Sequence, residues 1–216
     1  MEQTNYTIVA IAAVACLFIG GFVGMQMAPE GETITDTIEV PVNPLEGKTV
    51  TLGFIAAQTS DLEYKVPVIE EMVMADINEY ASKMSYDVEF EWLIDCADAQ
   101  ATVHLEKVQG FKAIDVNIFM GGAWTSQAAA AISYCNENDM LMISPSSTNP
   151  LLSIPNDALI RMCPTDRTQT PANRQMLETW GIDAVVFLHR ADGWGDGIYN
   201  LLEVELADAG IVILER

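Results

Sequence analysis

The sequence predicts an α/β fold in which parallel sheet is flanked by helices on both faces. Two observations lead there. Beyond about residue 48, short apolar or β-rich runs alternate with segments of helical period almost to the end of the chain. Two of those runs also stop abruptly in small hydroxyl residues, the way an open α/β sheet presents a polar ligand site at its carboxyl edge. The first is 116–120, followed by Gly121-Gly122-Ala123-Trp124-Thr125-Ser126, and the second is 140–143, followed by Ser144-Pro145-Ser146-Ser147-Thr148.

The elements follow in order. Residues 8–25 are uninterrupted apolar and small residues, which at ~1.5 Å per residue nearly span a ~30 Å hydrocarbon layer. An uncleaved anchor is favoured over a cleaved signal peptide. The leader MEQTNYT has no Lys or Arg, and Gln26-Met27-Ala28 is a poor cleavage site. Residues 1–29 are therefore assigned to an anchor or signal segment. Residues 30–47, acidic and with two prolines, form a linker. A strand is expected over 49–56. Val66, Ile69, Val73, Ile77, Tyr80 and Met84 then recur at helical spacing over 66–84. Residues 87–94 alternate apolar and acidic, as in a strand near a sheet edge with Glu89 and Glu91 facing water. A helix over 97–111, a strand over 116–120, a helix over 126–138 opened by Thr125 or Ser126 as N-cap, and a strand over 140–144 come next. The remainder reads as strand 158–162, helix 170–180, apolar strand 184–188, helix 197–209 and strand 211–214. That last segment supplies only two clear strands and two helices and looks like the beginning of a second unit.

Composition narrows the function. The chain has 216 residues and a formal net charge of -21. A phosphate backbone would be repelled and no Lys/Arg stripe offsets that, so nucleic acid is not expected as a partner. Four cysteines and two histidines do not make a zinc site. Cys16 lies inside the N-terminal apolar run, which leaves Cys96, Cys135 and Cys163 for at most one bridge. No metal or cofactor is expected. Nor is catalysis, since Ser144, Ser146 and Ser147 have no G-x-S-x-G elbow. His104 and His189 are tied by spacing to no serine and read as surface or cap residues. Met72, Met74 and Met84 read as helix packing.

MLMISPSSTNPLL, RMCPTDRTQTPA, FLHRADGWGDG, LGFIAAQTS and LIDCADAQATV, in that spacing, resemble the type I periplasmic-binding-protein superfamily. The likeness is nearest to substrate-binding components of branched-chain amino-acid ABC transporters. It implies two doubly wound parallel-sheet lobes with the ligand between them. The first lobe would cover 48–163, and 164–216 would begin a second, incomplete one. By position, Thr125 would bond a ligand carboxylate at a helix N-terminus. The carbonyl of Ser146 would receive an ammonium, Thr148 would grip the same head group, and Trp194 would close over it. The resemblance matches Cys96 to a position bridged in some relatives, but its usual partner position holds Trp124. Cys135 and Cys163 are then the pair left open to bridging. The implied role is extracytoplasmic capture of a small solute, an amino acid or similar, for delivery to ABC permease subunits, with the N-terminal segment at the membrane. The alternative is a sensory ectodomain of the same fold.

Overall fold

The computed structural model describes residues 44–216. The expected anchor at 1–29 and most of the 30–47 linker lie outside them. Among the described residues no helix is long and apolar enough to cross a membrane.

A five-stranded parallel sheet in the order β2-β1-β3-β4-β5 is the frame. Its strands are β1 (Lys48–Ala56), β2 (Val88–Cys96), β3 (Ile118–Met120), β4 (Leu141–Ser144) and β5 (Leu159–Arg161). The order runs outward both ways from β1 and β3, so the sequence direction reverses there, where an open α/β sheet forms a crevice at its carboxyl edge. β2 lies at the sheet edge and its Glu89 and Glu91 are exposed, as their alternation with apolar neighbours requires. A separate two-stranded parallel sheet pairs β6 (Ala184–Val186) with β7 (Val212–Glu215). The apolar run 184–188 is shorter as a strand than expected. It is also less buried, with Val186 and Leu188 exposed.

Successive residues of β1 point to opposite faces, and both faces are packed. Ile55 joins Val108, Phe111, Phe119, Ala128, Ile132 and Met142 beneath α3 (Ala101–Ala113) and α4 (Thr125–Glu137). Phe111 and Phe119 meet edge-on, with centroids 6.1 Å apart, and burying each ring is worth about 2–3 kcal/mol. Gly53 makes room for them, since a Cβ there would lie 2.4 Å from the Phe111 ring. On the opposite face, Phe54 and Ala56 pack with Ile69 and the half-buried Leu62 and Trp92.

The single helix expected over 66–84 is instead α1 (Thr59–Val68), a π turn (Ile69–Val73) and α2 (Met74–Lys83). Pro67 lies inside α1. Lacking an N–H and crowding the carbonyl four residues back, proline breaks the i→i−4 ladder, and the wider turn follows directly after it. Of the apolar positions on this helix only Ile69 and Ala81 are buried; Met72, Tyr80 and Met84 are exposed. The packing role expected for Met72 and Met84 is therefore corrected. α5 (Thr170–Thr179) and α6 (Gly193–Asp208) complete the described α-helices.

Cys96, Cys135 and Cys163 are all free thiols, so the pairing left open between Cys135 and Cys163 is not made. Cys135 is fully buried on α4 within the main core. Cys163 instead directs its sulfur at the Ser147 carbonyl, 3.6 Å away.

Candidate functional site

The loops that leave β3 and β4 are stitched to one another at the sheet edge. Ser144 Oγ donates to the Gly122 carbonyl at 2.7 Å, and Ser146 Oγ donates to the Ala123 carbonyl at 2.6 Å. The Ser144 oxygen also accepts from the Ser147 N–H at 3.1 Å. From beneath, His104 Nε2 accepts from the Gly122 N–H at 2.8 Å. That requires a neutral imidazole with its proton on Nδ1. His104 is completely buried, contrary to the expected surface or cap role. Burial holds its pKa down at about 4, with a backbone contact to Gln127 acting weakly the other way. His189, expected at the surface, is half-buried and stacks on Tyr199 at 5.8 Å.

These ties position a cavity of about 340 Å³ whose walls include Trp124, Thr125, Ser146, Thr148, Asp166 and Trp194. All four residues expected at the site, Thr125, Ser146, Thr148 and Trp194, line it together. Thr125 does not cap α4, however. Trp124 occupies the N-cap position in extended conformation, and the Gln127 side chain reaches back to accept its N–H at 3.4 Å. Gln127 is itself held by the Ala57 carbonyl, to which it donates at 2.9 Å. Because Gln127 serves the cap, the Thr125 hydroxyl is left without a partner although the residue is only 4% exposed. Thr148 Oγ1 is likewise buried and unpartnered.

Trp194 belongs to the first turn of α6, which begins at Gly193 rather than 197. Asp192 starts it there, its Oδ1 accepting from the N–H groups of Trp194 and Gly195 at 3.2 and 3.0 Å. Burial pushes the Asp192 carboxyl up, but the Gly195 N–H, the Arg190 guanidinium and the Trp194 N–H outweigh it and hold the pKa below the ordinary value. The start of α6 lies close to that of α4: a Cβ on Gly193 would stand 3.8 Å from Thr125 Cγ2. Two helix N-termini thus border one cavity, and each favours negative charge nearby.

Sequence reasoning missed three wall residues. Asp166 is 1% exposed; its Oδ1 accepts from the Gln169 side chain, and its Oδ2 has no partner. Its backbone N–H donates to the Thr148 carbonyl at 2.9 Å, which ties the two residues into one wall. It stands in the RMCPTDRTQTPA motif, but a carboxylate in a polar stretch gives no local sign of burial. Gln169 and Arg190 also face the cavity. No group of three or more His, Cys, Asp or Glu residues is arranged to hold a metal among the described residues.

Residues 71–216 match the family described as the receptor family ligand binding region. The chain belongs to that family. Solved structures that share the fold of this ligand-binding region include three solute-binding proteins. An ABC transporter substrate-binding protein from Desulfitobacterium hafniense, in complex with Leu, matches at TM-score 0.63 and 20% identity over 78% of this chain and 50% of that one. A leucine binding protein from Thermotoga maritima matches at TM-score 0.58 and 20% identity over 77% and 48%. A solute binding protein of an ABC transporter from Rhodopseudomonas palustris, in complex with 3,4-dihydroxy benzoic acid, matches at 0.61 and 18% over 77% and 46%. The ligand-binding region thus has the type I periplasmic-binding-protein fold. It spans about half the length of these structures. An uncharacterized protein of Methanocaldococcus jannaschii is 26% identical over 152 residues, 68% of this chain and 36% of its own length.

Proposed function

We propose that this chain is the solute-capturing component of an ABC uptake transporter and holds a small polar solute with an amino-acid head group in the cavity at the sheet edge. One observation carries the reading. Three oxygens with no partner, Thr125 Oγ1, Thr148 Oγ1 and Asp166 Oδ2, are buried in residues that wall one cavity. A buried polar atom left unpaired costs about 1–3 kcal/mol, and a ligand that supplies the missing partners recovers it. The ligand carboxylate is assigned to Thr125 and the N-terminus of α4. Its ammonium is assigned to the Ser146 carbonyl, Thr148 and the Asp166 carboxylate, and Trp194 covers the head group. Residues 48–163 serve as the first lobe and 164–216 as the start of the second. Closure of one on the other hands the solute to the permease subunits. The chain works on the extracytoplasmic face, tethered or exported through residues 1–29.

Calorimetric titration of the chain with a panel of amino acids tests this. Saturable binding that is lost in Asp166→Asn is expected, and no binding by any of them overturns the proposal.

The family description also favours a second reading, the ectodomain of a sensory receptor. Permease and ATPase genes beside the coding sequence decide for transport, and a signalling domain in the same reading frame decides for sensing.

A further inference from the structure

The cavity walls hold no aliphatic side chain larger than alanine. Only Ala123, Trp124 and Trp194 are apolar, and the rest are hydroxyl, amide or charged residues. The two indoles are the surfaces on which an aliphatic ligand side chain would have to pack. Both are already faced by a guanidinium, with Arg190 Cζ 4.9 Å from the Trp124 ring centroid and 5.3 Å from that of Trp194. Arg190 has one ionic partner among the described residues, Asp192, at 2.5 Å through Nη2. Asp192 divides its charge, giving its other oxygen to the first turn of α6. Beyond that pair the guanidinium, 45% of whose side chain is accessible, has further N–H donors open to a second carboxylate. At the opposite sign stands the buried Asp166 carboxylate.

Resting on the amino-acid reading of this cavity, we propose that Arg190 sets its specificity: the ligand carries a second anionic group on its side chain, as aspartate and glutamate do. The head group satisfies Thr125, Thr148 and Asp166, and the side-chain carboxylate meets Arg190. The net charge of -21 does not forbid an anionic ligand. Charges beyond a Debye length of about 8 Å are largely screened at physiological salt, whereas Arg190 acts at contact.

The test is calorimetry on the full chain with glutamate, aspartate, glutamine and leucine. Glutamine matches glutamate in shape without the charge, so their ratio isolates Arg190. Glutamate is expected to bind about tenfold to a hundredfold tighter than glutamine. Arg190→Gln should bring the two together, while Arg190→Lys, which keeps the charge and controls for folding, retains part of the preference. Glutamine or leucine binding as tightly as glutamate overturns this inference and leaves the amino-acid reading standing, as does an unchanged ratio in Arg190→Gln. Failure of all four to bind overturns the amino-acid reading and this inference with it.

Discussion

Asn149 donates its side-chain amide to the carbonyl of Gly193 at 2.5 Å, joining the loop after β4 to the first turn of α6. Its Oδ1 accepts from the Leu151 N–H at 2.8 Å, so both ends of the amide are engaged. Only 4% of the residue is exposed. A Cβ on Gly197 would come within 2.5 Å of the same amide. Gly197→Ala is therefore expected to displace α6 and Trp194 and to destabilise the protein by about 1–3 kcal/mol. Asn149→Ala relieves the crowding, so the double variant should lose less than the sum of the singles. Urea unfolding of the four proteins measures the coupling, and strict additivity would contradict the packing described.

Thr125→Val and Thr148→Val separate binding from folding. Each removes a buried hydroxyl that has no partner in the unliganded protein. Stability should then hold or rise, by up to about 1–3 kcal/mol, while solute affinity falls about tenfold or more. Thermal unfolding and calorimetry on the same samples check both halves.

His104 gives the protein a pH dependence of known sign. Folded, it protonates only near pH 4, against an ordinary value of 6.5. Between those values the unfolded chain carries more protons, so stability present above pH 6.5 is lost as the pH falls towards 4. The loss is on the order of 3 kcal/mol at most. Carboxylates and relief of the large negative charge also act in acid, but His104→Gln shares them. The difference between the two unfolding curves should shrink from pH 6.5 to 4 and stay constant above 6.5.

The thiols should differ sharply in reactivity. Burial pushes the Cys135 thiol up to about 12, leaving almost no thiolate at pH 8. Cys96 and Cys163 are only half-buried. Alkylation of the native protein at pH 8 should label these two and spare Cys135 until the fold opens, as read by mass spectrometry.

Much of this architecture was legible from pattern. The alternation of Val88, Phe90 and Trp92 with Glu89 and Glu91 marked an edge strand, and β2 is one. The hydroxyl clusters after residues 120 and 143 pointed to one place, and Thr125 and Thr148 meet there. What escaped depended on contacts distant in sequence. The start of α6 was set four residues late because glycines at 193, 195 and 197 argue against helix, whereas the Asp192 cap decides the matter. Gly195 is in fact required, since a Cβ there would lie 2.0 Å from the Arg190 carbonyl. His104 looked like a surface helix residue because its partner, the Gly122 N–H, comes from a loop 18 positions away. Asp166 and Arg190 needed the whole fold before their charges could be seen to face one cavity.

The approach of Arg190 to two indoles has a practical consequence. Trp124 and Trp194 make up half of the four tryptophans in the chain, and both touch the same cation at the cavity wall. A solute that draws the guanidinium towards itself alters the electric field across both rings at once. On the proposed binding mode, titration with the solute is expected to shift the intrinsic emission of the protein, a readout that needs no dye.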